Sequence, residues 1–402
     1  MKDNIWAKIL LCIALVGVLL FAGFVGMLMT AFAGGGKFYT PLVIAITFML
    51  IAFVVLRIFA LVNPKVLTIT LISFFAISAV VVTGYEINRG YYKSLATVNE
   101  QGVNLNEYKP FADNTKAAWL EEPATLKIEA NYPRLDGATA LYPLYSAFAQ
   151  AIYPKKDYSV YNSEVMCNTT VGAYKNLFEG KADIIFVARP SKQQIDEAKS
   201  RGIELKLTPI GREAFVFFVN AKNSVNELST GQIQDIYSGK ITNWQEVGGK
   251  NETIRAFQRP ENSGSQTMLQ KMMEGKNLMT PPKEDVVAGM GGIIKQTADY
   301  RNYKNAIGYS FLFFATEMIH NNEIHLLKVD GVYPDKNTIK NNEYPLTADF
   351  YAVTAGSKNP NNDSFIAWIL SLQGQALVEK TGYTPLERQG ELTSKRLQSN
   401  NL

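Results

Sequence analysis

Three long apolar runs follow one another at the head of the chain, and they decide what the rest can be. Ile9–Phe32 carries no charge, Pro41–Val62 carries only Arg57 near its end, and Val66–Tyr85 is again uncharged. A bilayer core of roughly 30 Å is crossed by about 20 apolar residues in a helix, so each run is long enough to span it. A secretory signal offers an apolar stretch of only roughly 7–15 residues, which does not account for three such runs in close succession. The expectation is three transmembrane helices within residues 1–85, in contact with lipid. Cys12 lies inside the first run behind Leu11, where a lipidation motif wants Gly or Ala, so it reads as a membrane-embedded thiol.

Basic residues orient the spans. Lys2 and Lys8 flank the first run and Arg57 and Lys65 bracket the second loop, against Lys37 in the first loop and Arg89 and Lys93 after the third run. This excess favours a cytoplasmic N-terminus. Three crossings then place everything after Tyr85 on the extracytoplasmic side of the cell membrane.

Composition narrows the function. Charged residues make up 19 % of the chain, below the usual quarter or so, and the deficit lies before Glu86. A net charge of +4 on a chain of this length does not point to nucleic acid. Two Cys make neither a zinc ribbon nor a disulfide framework. The two His, His320 and His325, are separated by Asn321-Asn322 with no Cys nearby, so no metal site is expected. Gly289-Met290-Gly291-Gly292 lacks the strand and spacing of a dinucleotide fingerprint and reads as a loop before a helix over Ile293–Tyr300. No phosphate loop of the nucleotide-triphosphate type is present, and Ser263-Gly264-Ser265 has no His-Asp pair to activate it. These absences point away from an enzyme and from a bound cofactor.

Beyond the apolar runs, strand and helix patterns alternate. Leu126–Ala130 and Tyr158–Tyr161 read as strands, Thr139–Tyr153 and Val171–Gly180 as helices, then Asp183–Val187 as a strand and Gln193–Gly202 as a helix. After Gly211 the pattern recurs: strand Phe215–Asn220, capped helix Ser229–Gly239, strand Ile254–Phe257, helix Ser263–Glu274, strands Ala306–Phe314 and Tyr344–Val353, helices Ser364–Leu372 and Gln375–Lys380. Such alternation predicts an α/β fold with a largely parallel sheet, here in two lobes of similar size. Ligands of open α/β sheets sit beyond the carboxyl ends of the strands, which places the site in the cleft.

Two segments carry oxyanion chemistry. In Asp136-Gly137-Ala138-Thr139-Ala140 a strand enters a Gly turn and a helix opens at Thr139. Helix openings present unpaired N–H groups and partial positive charge, and they favour anions. In Arg259-Pro260-Glu261-Asn262-Ser263-Gly264-Ser265 a strand delivers Arg259, and Ser-Gly-Ser opens a second helix. Ser263 and Ser265 supply hydroxyls, Gly264 lets an oxyanion approach the backbone, and Arg259 can meet two oxygens at once. Each segment alone also reads as an ordinary helix cap. Together they occupy matching strand–loop–helix junctions of the two halves, where closing the lobes would complete a shell around a small oxyanion.

At these residues the chain resembles the phosphate-binding component of bacterial phosphate ABC importers, in the type II periplasmic-binding-protein superfamily. The resemblance covers roughly Leu126–Leu386 and is carried by Gly211-Arg212-Glu213-Ala214-Phe215-Val216, by Ile236-Tyr237-Ser238-Gly239-Lys240-Ile241-Thr242-Asn243-Trp244, by Arg259–Ser265 and by Gly382-Tyr383-Thr384-Pro385-Leu386. It implies a two-lobed type II periplasmic-binding-protein-like domain with crossover strands near Gly211–Phe215 and Tyr344–Tyr351. The expected division is three transmembrane helices over 1–85, a linker over 86–123, and a binding domain over 124–387. Within that domain one lobe takes about 124–210 plus 345–387 and the other about 211–344, followed by a polar tail over 388–402.

The resemblance also implies ligand contacts from Thr139 and Ala140, from Thr170 with Thr169 beside it, and from Arg259, Ser263, Gly264 and Ser265. Trp244 belongs to a structural motif of such proteins. One departure bears on specificity. Phosphate binders carry an Asp that accepts the proton of phosphate and so rejects sulfate; that position here is Ala188, next to Arg189. Asp136 is a candidate replacement acceptor, and Arg189 is either an added cation or a solvated surface residue. The expected function is a membrane-anchored receptor for phosphate or a related oxyanion, delivering it to the membrane subunits of an ABC importer. The alternative, motivated by Ala188 and by the three-span anchor, is a tethered sensor or scaffold with another ligand or none.

Overall fold

The computed structural model describes residues 5–32, 38–94, 97–98, 103–281, 300–301, 304–318 and 324–386. Its chain divides into two compact units, one ending at Ser94 and one beginning at Leu95. Gly289–Gly292, the helix expected to start at Ile293, His320 and the polar tail 388–402 lie outside the described residues.

The first unit holds α1 (Ile5–Phe32), α2 (Tyr39–Ile58) and α3 (Pro64–Ser94). Each is long and apolar enough to cross a membrane. No residue of α1 or α2 is buried within the protein, so apolar side chains cover every face, which water does not tolerate over such lengths and lipid does. α1 and α2 meet through small residues: a Cβ at Gly23 would overlap the Thr47 side chain, and the Thr30 and Thr40 hydroxyls lie 3.0 Å apart. Close approach at small residues is how helices gain contact in lipid. α3 opens on Pro64, whose missing N–H costs nothing in a first turn. It runs to Ser94, past the Tyr85 boundary expected from hydropathy.

The second unit opens with β1 (Thr97–Val98). Residues 103–120 do not form a free linker. Leu105 and Phe111 pack against the first lobe's core, and Tyr108 is buried in it; the Phe111 amide donates to Gln150 Oε1 at 2.9 Å. The apolar residues spaced through this polar stretch bury one edge of it.

The first lobe is built from β2 (Leu135–Gly137), α4 (Tyr142–Ile152), α5 (Thr169–Phe178), β3 (Ile184–Val187) and α6 (Lys192–Ser200). β4 (Lys206–Asn220) then leaves for the second lobe, which holds β5 (Glu227–Leu228), α7 (Thr230–Tyr237), β6 (Arg255–Ala256), α8 (Gly264–Met272), β7 (Tyr300–Arg301), β8 (Ala306–Phe311), β9 (Ile324–Leu326), β10 (Lys328–Val329) and α9 (Lys336–Lys340). β11 (Thr347–Thr354) returns, and α10 (Asn362–Ile369) and α11 (Leu372–Thr381) close the first lobe.

The expected parallel sheet is a mixed one. β2 and β3 are parallel, as are β6 and β8, but the strands between them are antiparallel. The cause is that β4 and β11 carry the chain between lobes in opposite directions. β4 pairs with β11 as far as Ala214 and with β8 from Phe215 onward, so one strand serves both sheets. Leu126–Ala130 and Tyr158–Tyr161 form no strand; Ile128, Tyr158 and Val160 are buried in the core without a hydrogen-bond ladder. Each lobe has its own core, one around Tyr145, Phe148 and Phe186, the other around Phe215, Phe217 and Trp244. Trp244 is 1 % exposed and donates Nε1–H to Asn305 O at 2.9 Å, a structural role.

Asp183 pins the start of β3. Its buried carboxylate accepts from Arg134 N, Nε and Nη2 at 2.8, 3.0 and 2.8 Å and from Ser357 Oγ at 2.6 Å. Burial pushes this carboxyl up, but the bonds from Arg134 and Ser357 outweigh it and hold it below its ordinary value. Asp183→Asn should cost about 1.5–3 kcal/mol at neutral pH, the scale of a charge-assisted hydrogen bond. The carboxylate's contribution is whole above about pH 4 and is lost as pH falls through the lowered folded value. In urea melts at stepped pH the wild type should therefore lose its advantage only in acid.

Candidate functional site

Strand ends and helix starts converge on one cleft. A cavity of about 430 Å³ lies between the lobes, and Thr139, Ala140, Thr170, Arg259, Ser263 and Ser265 line it, with Thr169, Ala188 and Gly264. The structure thus brings the seven principal residues together.

From the first lobe, β2 delivers the chain to a 3₁₀ turn at Thr139–Leu141, and α4 proper starts at Tyr142, three residues later than expected. The first N–H groups of a helix have no partner within it, so this opening offers amide donors at Thr139 and Ala140. The N-cap of this turn is Ala138 and that of α4 is Leu141, so Thr139 stands inside the turn and is not the N-cap. α5 offers the second opening. Thr169 stands at φ +63°, a left-handed conformation costing a β-branched residue roughly 1–2 kcal/mol. Backbone strain of this kind gathers at functional sites.

Asp136 holds that turn in place and is not the acceptor that the sequence reading entertained. It is fully buried and not among the cavity's lining residues. Its oxygens accept from Gly137 N (2.8 Å), Asn168 N (2.8 Å), Asn168 Nδ2 (2.9 Å) and Asn176 Nδ2 (2.7 Å). Burial raises its carboxyl above the ordinary value, against the pull of these four donors. Sequence could not show this role, because Asn168 and Asn176 belong to another element.

In the second lobe, Ser263 caps α8 by accepting from Gln266 N at 3.4 Å, which leaves its O–H able to donate. The Arg259 backbone is fixed by N–H bonds to Gln266 Oε1 (3.0 Å) and Tyr309 Oη (2.8 Å), and Tyr309 in turn donates to Gln266. The lobes meet here. A Cβ on Gly264 would lie 3.4 Å from Thr170 Oγ1 and 3.6 Å from Ala188 Cβ, so α8 opens directly against the other lobe. Beside it, Asn262 at φ +67° accepts from Ser191 Oγ at 2.7 Å and donates to Gln193 Oε1 at 2.7 Å, and Gln194 Nε2 reaches its carbonyl at 3.3 Å.

Arg189 is not brought into the cavity. Its Nη2 donates to Tyr351 Oη at 3.2 Å, and it lines a separate pocket with Arg212 and Lys271. Sequence reasoning also missed Glu213, a buried carboxyl in the cavity wall; its signal is an acidic residue beside Arg212 where β4 turns apolar. His325 bonds Val225 O at 2.9 Å, and the described residues contain no cluster of His, Cys, Asp or Glu suited to a metal. Asp136→Ala leaves three donors of Asn168 and Asn176 unanswered beside Thr169, and should lower stability by roughly 3 kcal/mol; thermal unfolding of the full chain in detergent, compared with wild type, checks it.

The description of a PBP superfamily domain matches residues 128–372. Among curated proteins, the phosphate-binding protein PstS of Bacillus subtilis is 24 % identical over 257 residues, 63 % of this chain and 80 % of that protein. PstS of Borreliella burgdorferi is 26 % identical over 185 residues, 44 % of this chain and 65 % of that one. Among solved structures, a Clostridium perfringens protein crystallised with bound phosphate is 28 % identical with a TM-score of 0.49, covering 63 % of this chain and 98 % of its own.

Proposed function

Since this chain belongs to the PBP superfamily, we propose that it is a membrane-anchored extracytoplasmic receptor that binds phosphate or a related small oxyanion and delivers it to an ABC importer. The observation that carries the reading is the meeting of two helix openings across the cavity, with Gly264 against Thr170 and Arg259 in the wall. Amides at Thr139, Ala140, Gly264 and Ser265, hydroxyls of Thr139, Thr170, Ser263 and Ser265, and the Arg259 guanidinium supply donors from several directions. Such a shell suits a small tetrahedral anion, whose oxygens each accept more than one bond. The relatives named as phosphate-binding proteins support phosphate first. The three apolar helices supply the anchor and the basic residues around them the orientation.

Ala188 supports a second reading. A methyl group in the cavity wall neither donates nor accepts, and a tethered domain of this kind also serves as a sensor or scaffold. If loss of the protein leaves phosphate uptake intact and alters a transcriptional response, that reading replaces the first.

Calorimetric titration of the full chain in detergent tests the primary reading. Inorganic phosphate should bind with a dissociation constant of about micromolar or tighter, whereas no heat and no thermal shift with phosphate or sulfate refutes it. Arg259→Ala should weaken binding by about 1.5–3 kcal/mol, or roughly 10- to 150-fold. Arg259→Lys should recover only part of that, because it keeps the charge without the paired N–H groups. An unchanged constant in Arg259→Ala means that the anion binds elsewhere.

A further inference from the structure

The cavity wall holds a buried carboxyl, which an anion site would not be expected to tolerate. Glu213 is 6 % exposed and lines the cavity on β4 beside the residue where that strand changes from one sheet to the other. One of its oxygens accepts from Phe313 N at 2.6 Å. Burial pushes the carboxyl up to about 8, against the pull of that N–H. The charged or titratable groups around it are Lys175 on α5, Arg259 and Glu261 ahead of α8, Asp349 on β11 and Tyr383 after α11. Of these, Glu261 accepts from Gln270 at 2.7 Å, Asp349 lies 3.4 Å from Arg212, and Tyr383 donates to Ala140 O. Of the three carboxyls in the wall, Glu213 is thus the buried one, and Glu261 and Asp349 already have partners of their own.

A carboxylate and an oxyanion enclosed together repel strongly, because little water remains to screen them. A single proton between them turns repulsion into a hydrogen bond. We propose that the Glu213 carboxyl and the bound oxyanion share one proton, so that Glu213 sets which protonation states of tetrahedral anions the site accepts. The inference rests on the oxyanion reading above and deepens it. The proton has two sources. A neutral Glu213 donates its own O–H to an oxygen of the anion. An ionised Glu213 accepts the O–H that hydrogen phosphate carries. Sulfate brings no proton at neutral or alkaline pH, so it depends on the first source alone.

The test is titration of the detergent-solubilised full chain with sulfate and with inorganic phosphate between about pH 6 and pH 10. Wild-type affinity for sulfate should fall roughly tenfold per pH unit above about pH 8, and affinity for phosphate should fall less. Glu213→Gln keeps an acceptor for Phe313 N–H and a neutral donor toward the cavity, so its sulfate affinity should stay level across the range. A level wild-type sulfate profile with binding intact overturns the proposal and leaves the oxyanion reading standing, as does an equal slope in Glu213→Gln. Binding of neither anion at any pH overturns both. If Glu213→Gln fails to fold, the wild-type slopes for the two anions decide.

Discussion

Backbone amides at the start of a helix need partners, and here two such starts are pressed together. α5 and α8 open toward each other so closely that a Cβ on Gly264 would touch Thr170 Oγ1. Water satisfies such donors poorly in a narrow gap, and an anion satisfies them well. Much of the fold can be read as the scaffold for that meeting. β2 and β6 lead toward it, β4 and β11 join the lobes beneath it, and separate cores keep each lobe rigid up to the cleft.

Support for the contact lies in residues that never reach the cavity. Asp136 gathers four donors and thereby fixes Asn168 and the strained Thr169. Gln266 and Tyr309 do the same for the backbone of Arg259. Asn262 ties its loop to Ser191 and Gln193 on the facing lobe. These bonds fix the directions of the donors before any ligand arrives, so less conformational freedom remains to be lost on binding.

What could be read from sequence were features with local physical causes. Apolar length alone marks α1–α3. Ser229 with Gln232, and Ser263 with Gln266, announce α7 and α8 because capping is settled within one turn. The Ser-Gly-Ser opening and Arg259 are legible for the same reason. Features set by distant partners were not. The alternation of Leu126–Ala130 looks like a strand, yet nothing pairs with it there. The polar stretch 103–120 hides apolar residues that have meaning only against the first lobe's core. Asp136 and Glu213 are each one acidic residue near an apolar run, and only the fold reveals that one organises a turn and the other faces the cavity.

The lining of the first lobe by residues 103–120 has a mechanical corollary. The chain enters this domain through a segment that is fastened to both lobes: β1 pairs with β7 of the second, and residues 103–120 pack against the core of the first. Besides β4 and β11, one stretch of chain thus straps the two lobes to each other. Glu213 lies where β4 passes from pairing with β11 to pairing with β8, so its carboxyl is held at the crossover between the two strapped halves.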